Sequence, residues 1–561
     1  MKRVLVVTAV LAAVLLTMSS SAFAGAKPKL VDVQLLAFND FHGNLEPPSG
    51  SNGLIRTSNS PITTVAAGGA EYLSTHLQQL EQANPLNTWT VSGGDLIGAS
   101  PLLSALFHDE PTIEAMNTMG LDFNGVGNHE FDEGTAELLR MQDGNCHPFD
   151  GCQDGTPFYG SIFQFLAANV ILDATQNPLL PPYKIVQARH VEDDGTIEED
   201  SKIAFIGETL EGTPQIVTPA GVQGLTFLDE ADTVNMLVPA LRKRGVETIV
   251  VLLHQGGFQT GNWLYNTCNG LGGEIVDIVN RMDDAVDVVV SGHTHQPYDC
   301  EIDGKLVTSA SSFGRIVTQI NLTIDRRTDD VVAKSAENRI VTRNVPKDPR
   351  ITSLIGRYTA IAGPIRDRVV GQATANIVRA QNPAGESPLG DVIADGQLAA
   401  TAPTDFGGSK VAFMNPGGIR ADITAGDVTY GELFEVQPFT NTLIVKTCTG
   451  AQLEALLEQQ WVANRVLQVS SGFKYTWDAS RPIGDRVDPA SIKIDDITVN
   501  PAANYRVTMN SFLATGGDGF SVFTACTNQL GGAVDVDALV AYFQQNSPVA
   551  PGLANRITRA G

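Results

Sequence analysis

Positive charge is scarce in this sequence. Lysine and arginine number 37 against 62 aspartates and glutamates, so the 561 residues carry a net charge of −25 at pH 7. Such a chain repels phosphate backbones, which excludes general nucleic-acid binding. An anionic substrate would need local positive charge, such as metal ions. Charged residues amount to only 18% and hydrophobic ones to 43%, a globular composition and not a disordered one. After its first residues the sequence has no apolar run long enough to span a bilayer, and it has no internal repeat. The composition also excludes collagen and coiled-coil classes. Cysteine is sparse: six residues, none in Cys-x-x-Cys spacing, which argues against a thiolate metal site. What remains is a long globular chain, sufficient for two to four domains.

At the N-terminus, Lys2 and Arg3 precede an apolar stretch, Val4 to Met18, and then small residues ending in Ala22-Phe23-Ala24. This reads as a secretory signal over 1–24, with no stable membrane insertion after cleavage. The expected location is secreted, periplasmic or cell-wall associated. In an exported chain an even number of cysteines implies disulfides. Proximity pairs Cys146 with Cys152, Cys268 with Cys300, and Cys448 with Cys526, one of several connectivities open to six cysteines.

Val31–Phe38, Thr88–Ser92, Thr248–Leu253 and Val286–Val290 read as buried strands, and Ala70–Gln82 carries a helical pattern. This α/β texture predicts a sheet core with a site at the strand ends. Lys347-Asp348-Pro349 starts a helix that continues over 350–361 and links to a second α/β block. That block has strands near 410–414, 443–446 and 505–509 and a helix at 451–460. Ser49–Pro61 and Glu192–Asp200 read as surface loops.

Five polar clusters follow strand-like runs: Asn39-Asp40-Phe41-His42, Gly93-Gly94-Asp95, Gly127-Asn128-His129-Glu130-Phe131-Asp132, His254-Gln255-Gly256-Gly257 and Gly292-His293-Thr294-His295. Glycines beside most of them permit tight turns. A spacing of two would keep Asp40 and His42, and likewise His293 and His295, on one face of an extended strand. Imidazoles, carboxylates and an amide without thiolates suit two hard-to-borderline divalent ions such as Zn, Mn or Co. Two such ions clamp a phosphoryl group in in-line displacement, and Asp95 is the natural carboxylate to bridge them. The remaining histidines His76, His108, His147 and His190 read as surface or packing residues.

The second half has its own glycine-rich clusters, at 415–420, 437–441 and 510–520. Phe439 and Phe512 could sandwich a flat base. Arg420 suits a phosphate or carboxylate, and Asp518 suits ribose hydroxyls.

The five clusters together resemble the signature of the calcineurin-like metallophosphoesterases, and specifically of their 5′-nucleotidase branch. The resemblance runs over about residues 30–555. It implies an α/β (α+β) fold: an N-terminal metallophosphoesterase β-sandwich flanked by helices (25–345), a linker helix (346–371) and a smaller α/β substrate-binding domain (372–561). It further implies that Asp40, His42, Asp95 and His295 hold one metal and that Asp95, Asn128, His254 and His293 hold the other. His129 and Asp132 would form the catalytic dyad. Arg379, Asn415, Arg420, Phe439, Asn441, Phe512 and Asp518 would bind a nucleotide. Pro416 and Thr440 replace glycines of the family's pattern, and the loop after Arg379 is longer, with Pro388 and Asp391 in place of asparagine. The implied activity is an exported two-metal hydrolysis of nucleoside 5′-monophosphates by metal-bound hydroxide, extending to di- and triphosphates or UDP-sugars. A 2′,3′-cyclic-nucleotide phosphodiesterase/3′-nucleotidase and a non-catalytic nucleotide receptor are the alternatives. No protein partner is readable.

Overall fold

The computed structural model describes residues 30–192, 194–217 and 220–560; the signal-like segment 1–24 lies outside them. The first half is built on two six-stranded mixed sheets. One runs in the order Asp330–Ile340, Ile316–Asp325, Leu30–Phe38, Thr88–Ser92, Phe123–Gly125, Gln164–Leu166. The other runs Pro297–Ile302, Lys305–Ala310, Val286–Ser291, Thr248–His254, Ile197–Thr209, Tyr183–Val191. The apolar runs of the sequence are the central strands: Thr248–His254 is buried along its whole length and pairs in parallel with neighbours on both sides. Such strands lie between two covered faces, which is why they read as continuous Val/Ile/Leu runs. Val33, Leu35, Val91, Phe205, Val250 and Val288 fill the layer between the sheets. Helices such as Ala70–Glu81 and Glu230–Lys243 cover the outer faces.

The sheets touch backbone to backbone near one end. Ala168 N–H donates to Gly207 O at 2.7 Å, and a Cβ on Gly207 would lie 2.2 Å from Leu166 O. Close by, the Thr209 hydroxyl donates to Val126 O at 2.8 Å, and Thr209 is the register partner of His254. This contact brings the parallel-strand ends of both sheets to one seam.

The helix Pro349–Arg366 begins at Asp348, whose side chain accepts from Arg350 N–H. Ile351, Leu354, Tyr358 and Ala362 join the core of the first half, so the connecting helix is docked there along its length. The second half has a five-stranded sheet in the order Gln468–Val469, Val411–Met414, Asn504–Asn510, Thr442–Thr449, Thr527–Val534, and a four-stranded sheet that includes Phe473–Asp478. The helices Pro388–Thr401 and Asp535–Asn546 pack with it. The three expected disulfides, Cys146–Cys152, Cys268–Cys300 and Cys448–Cys526, are all formed.

Two expected loops are corrected. Leu54–Asn59 and Ile62–Ala66 form a hairpin, and 197–200 begins the long strand Ile197–Thr209. Both are polar and largely exposed. The β-branched residues of the hairpin favour extended backbone, and a single buried position, Ile55, was too little to show the strand period.

Gly207→Ala is expected to destabilise the first half by about 1–3 kcal/mol, the cost typical of overpacking, because the obstructing atom is a backbone carbonyl. Denaturant unfolding checks this; an unchanged midpoint would show that the sheets separate freely at that point.

Candidate active site

All five clusters meet at the seam. Ser92 ends one strand, and the following Gly94 adopts φ 95°. A Cβ on Gly94 would lie 2.5 Å from His254 Nδ1, so only glycine lets the chain pass there. Asp40–Gly43 then runs beside Gly94–Leu96: Asp40 N–H donates to Gly94 O, His42 N–H to Asp95 O and Gly43 N–H to Leu96 O at 2.9–3.0 Å. From the second sheet, His293 N–H donates to Asp40 Oδ1 at 3.0 Å.

The one-face argument for Asp40/His42 and His293/His295 fails. The strands stop at Phe38 and Ser291, and Asp40, His42, Asp95, His293 and His295 all have φ between 47° and 69°. Left-handed turns at the functional residues themselves aim these side chains inward. Asp, Asn and His are the non-glycine residues most often found there.

Two groups result. Asp40, His42 and His295 present ligand atoms within 4.8 Å of one another, and so do Asp95, His254 and His293. Asn128 Oδ1 lies 3.0 Å from His293 Nδ1. Asp95 Oδ2 is 2.9 Å from His254 Nε2 and 3.7 Å from His42 Nε2, which places it between the groups.

The imidazoles are pre-aimed. His254 Nδ1 lies 2.7 Å from Gly93 O and His42 Nδ1 2.8 Å from Gly98 O. A carbonyl can only accept, so each Nδ1 carries the hydrogen and each Nε2 presents its lone pair to the centre. His254 Nε2 is buried and faces the Asp95 carboxylate at 2.9 Å. His42 Nε2 and His295 Nε2 face each other at 3.2 Å. Lone pairs held so close to carboxylates and to each other call for a cation between them. Where no cation is bound, a proton takes its place. Burial lowers the basicity of His254, but Asp95, Asp40 and Glu130 outweigh it and push the pKa up to about 10. Burial and the neighbouring His254 bring His293 down to about 3. These residues therefore fit a pair of divalent cations.

His129 stands beside the cluster. Its Nδ1 is 2.7 Å from Asp132 Oδ2, and its backbone N–H donates to Asp95 Oδ1 at 2.9 Å. Burial disfavours the imidazolium, yet Asp132 and then Asp95 raise the pKa above its ordinary value.

A cleft of about 860 Å³ joins this cluster to the second half, within the usual size for small-ligand sites. Asn415, Arg420, Phe439, Asn441, Phe512 and Asp518 all line it, together with His129, Asp132, Asn128, His293 and His295. Phe439 stacks on His129, centroids 5.6 Å apart and 21° from parallel, and the Arg420 guanidinium lies 5.8 Å from the Phe439 ring centre. Asp518 accepts from Asn415 Nδ2 at 2.9 Å and pairs with Arg465 at 3.3 Å. Arg379 is placed elsewhere. Its guanidinium donates to Arg420 O at 2.7 Å and Asn52 Oδ1 at 2.8 Å, so it fastens the backbone of Arg420 to the first half and is not among the cleft-lining residues.

Two supporting residues escaped the sequence reading. Glu130 is buried and accepts from the backbone N–H of Asp95 (3.1 Å), Leu96 (2.9 Å) and Gly127 (2.7 Å). It fixes two ligand-bearing loops at once. Burial and the charge of Asp95 push its pKa up to about 7. Asn39 donates to Asp40 Oδ2 and Ser311 O and accepts from Ala310 N–H. Both sit inside quoted clusters, and adjacency to a ligand was the only signal available.

Residues 33–297 match the calcineurin-like phosphoesterase family, and residues 369–525 match the 5′-nucleotidase C-terminal domain. The chain is 35% identical to endonuclease YhcR of Bacillus subtilis, over 94% of this chain and 41% of that one. It is 33% identical to cell wall protein Lmo0130 of Listeria monocytogenes, over 89% of this chain and 65% of that one. It thus spans less than two thirds of either relative. Among solved structures it resembles a 5′-nucleotidase precursor from Thermus thermophilus, with 27% identity and a TM-score of 0.75 over 95% of this chain and 100% of that one.

Glu130→Ala would strand three buried backbone donors, each costing ~1–3 kcal/mol when left unpaired. A loss of stability of at least about 2 kcal/mol is expected on that ground, with Glu130→Gln, which keeps one oxygen, losing less. Equal unfolding midpoints for the three proteins would remove Glu130 from the support of the site.

Proposed function

The chain belongs to the calcineurin-like phosphoesterases that carry a C-terminal 5′-nucleotidase domain, metallophosphoesterase-type hydrolases, and from that membership we propose that it hydrolyses nucleoside 5′-monophosphates outside the cytoplasm, using two divalent cations. The observation that supports this most is the cleft shared by the two halves. Phe439 from the second half stacks on His129 of the first, and Arg420 lines the same cleft, so one small molecule can touch both a phosphate-sized charged centre and an aromatic pocket.

In this reading Asp40, His42, Asp95 and His295 hold one cation, and Asp95, Asn128, His254 and His293 hold the other. When bound, the pair supplies Lewis-acid activation of the phosphoryl group and of water. The chain's own residues do the rest. Arg420 binds a phosphate oxygen with a guanidinium whose charge is sustained by Asp95, Asp132 and Asp40 against burial and Arg379. His129, held by Asp132 through Nδ1, offers Nε2–H to the phosphoryl oxygens as negative charge builds there. Phe439 and Phe512 take the two faces of the base, Asp518 accepts from the ribose hydroxyls, and Asn415 and Asn441 orient them. The three disulfides support an oxidising location. We place the boundary between the halves at the end of the connecting helix. Because Pro349–Arg366 is docked on the first half, any opening of the cleft pivots near Asp367 and Arg368.

A substrate panel tests the proposal: 5′-AMP, 3′-AMP, 2′,3′-cyclic AMP and an aryl phosphate. The expected result is a kcat/KM for 5′-AMP at least about tenfold above the others, equivalent to about 1.4 kcal/mol, abolished by chelation and restored by Zn, Mn or Co. Preference for the cyclic or 3′-substrate, or full activity in chelator, would overturn it.

The dyad gives a pH signature. Asp132 raises the basicity of His129, and a ring that must be protonated to act makes kcat decline as pH rises through its titration. Asp132→Asn removes the charge that raises it, and the alkaline limb of the kcat profile should move to lower pH while kcat at the optimum falls ~10²-fold. An unmoved alkaline limb would separate His129 from that titration.

A further inference from the structure

His108 and His147, expected to be surface or packing residues, come together beside the cleft, which His108 lines. His108 follows the short helix Leu102–Ala105, and both it and Asp109 have left-handed backbones, φ 51° and 60°. Asp109 is buried and accepts from Gly98 N–H at 2.9 Å and the Ser104 hydroxyl at 2.5 Å. This holds the turn and swings the His108 ring outward. Its Nδ1 then lies 2.7 Å from Glu133 Oε2 and its Nε2 2.8 Å from Asp150 Oδ2. His147 and Asp150 sit within the loop closed by Cys146–Cys152. His147 Nδ1 is 3.3 Å from Asp150 Oδ2. One ligand atom from each of His108, His147 and Asp150 falls within 4.8 Å of the others. The imidazoles are 19% and 13% exposed, covered enough to be ordered and open enough for an ion to enter.

We propose that His108, His147 and Asp150 form a further divalent-cation site, separate from the central cluster and suited to zinc-like transition ions, with Glu133 as the carboxylate that orients His108. The donor set is two imidazoles and one carboxylate, with the fourth position left to water, a combination that zinc accepts. The Glu133–His108 bond is the carboxylate–imidazole pairing that fixes a ligating ring and raises its basicity. The local charge favours a cation. Glu133 and Asp150 face His108 directly; Glu137 lies nearby but is paired with Arg140 at 2.6 Å. Both His108 ring nitrogens face carboxylate oxygens, which only accept, so the ring carries two N–H groups and one positive charge. One proton leaves such a site net negative, and a divalent ion compensates it better. The rings now lie stacked, 3.7 Å apart and 15° from parallel. Sharing an ion requires the His147 ring to turn, which gives up the hydrogen bond from Asp150 N–H to His147 Nδ1 at 3.2 Å.

An ion there would fasten the disulfide loop to two supports of the centre. Glu133 directly follows Asp132, and Asp109 holds Gly98, whose carbonyl holds His42. The site does not depend on the proposed substrate.

The test is metal stoichiometry by equilibrium dialysis against Co²⁺ or Zn²⁺ at pH 7.5, on full-length wild type, His147→Ala and Asp150→Asn. Wild type should retain one more equivalent than either variant, and binding of that equivalent should release about one proton. Glu133→Gln should keep the extra equivalent but weaken it about 10–100-fold. Asp150 is half exposed, so its variant is expected to fold, and thermal unfolding of each metal-stripped protein checks this. Equal equivalents in wild type and both variants would overturn the site, as would an extra equivalent in wild type that persists in Asp150→Asn.

Discussion

A carboxylate buried at the seam of two sheets has to be compensated, and most of the first half is arranged around the one at Asp95. Burial alone would neutralise it. Instead His254, His129 and His42 hold its pKa well below the ordinary range, and the His129 backbone N–H adds a hydrogen bond. These partners come from different strands and from both sheets. The compensation is therefore possible only if the sheets touch where they do, at Gly207 and Thr209, and only if Glu130 keeps the loops from parting. The core supplies the rigidity; the charge balance dictates where that rigidity is needed.

The second half meets this centre from across the cleft and is held by its own polar anchors. Lys446 is buried and donates to Ala514 O and Phe523 O at 2.8 and 3.0 Å, which sets the loop bearing Phe512 and Asp518. Arg379 fixes the backbone of Arg420 while reaching Asn52 of the first half. The loop of Phe512 and Asp518 and the backbone of Arg420 thus each rest on a buried or bridging cation, in a chain that has few cations to deploy.

Much of this was legible in the sequence, for physical reasons. Strands buried on both faces announce themselves as apolar runs, so Leu30–Phe38, Thr248–His254 and Val286–Ser291 were found almost to the residue. Metal-binding chemistry needs particular atoms, so the side chains of the centre were also visible. What stayed hidden depends on three-dimensional neighbours. Glu130 works through backbone donors of loops that are distant in sequence. Arg379 has the right chemistry for a phosphate but spends its donors on carbonyls. His108 and His147 lie 39 positions apart and meet only because a disulfide loop folds back. The polar hairpin at 54–66 buries only Ile55 among its described residues, too little to show its period.

The left-handed backbones at Asp40, His42, Asp95, His293 and His295 have a consequence for how such a centre can evolve. Chemistry asks these positions for an oxygen or nitrogen donor, and conformation asks them for a residue that tolerates positive φ. Few residue types satisfy both demands. Glutamate keeps the charge of aspartate but not its short, locally bonding side chain, and a β-branched residue meets neither need. Exchanges that look conservative by charge, such as aspartate to glutamate, are therefore closed, and the steps left open to descendants of this chain lie within the small set of Asp, Asn and His.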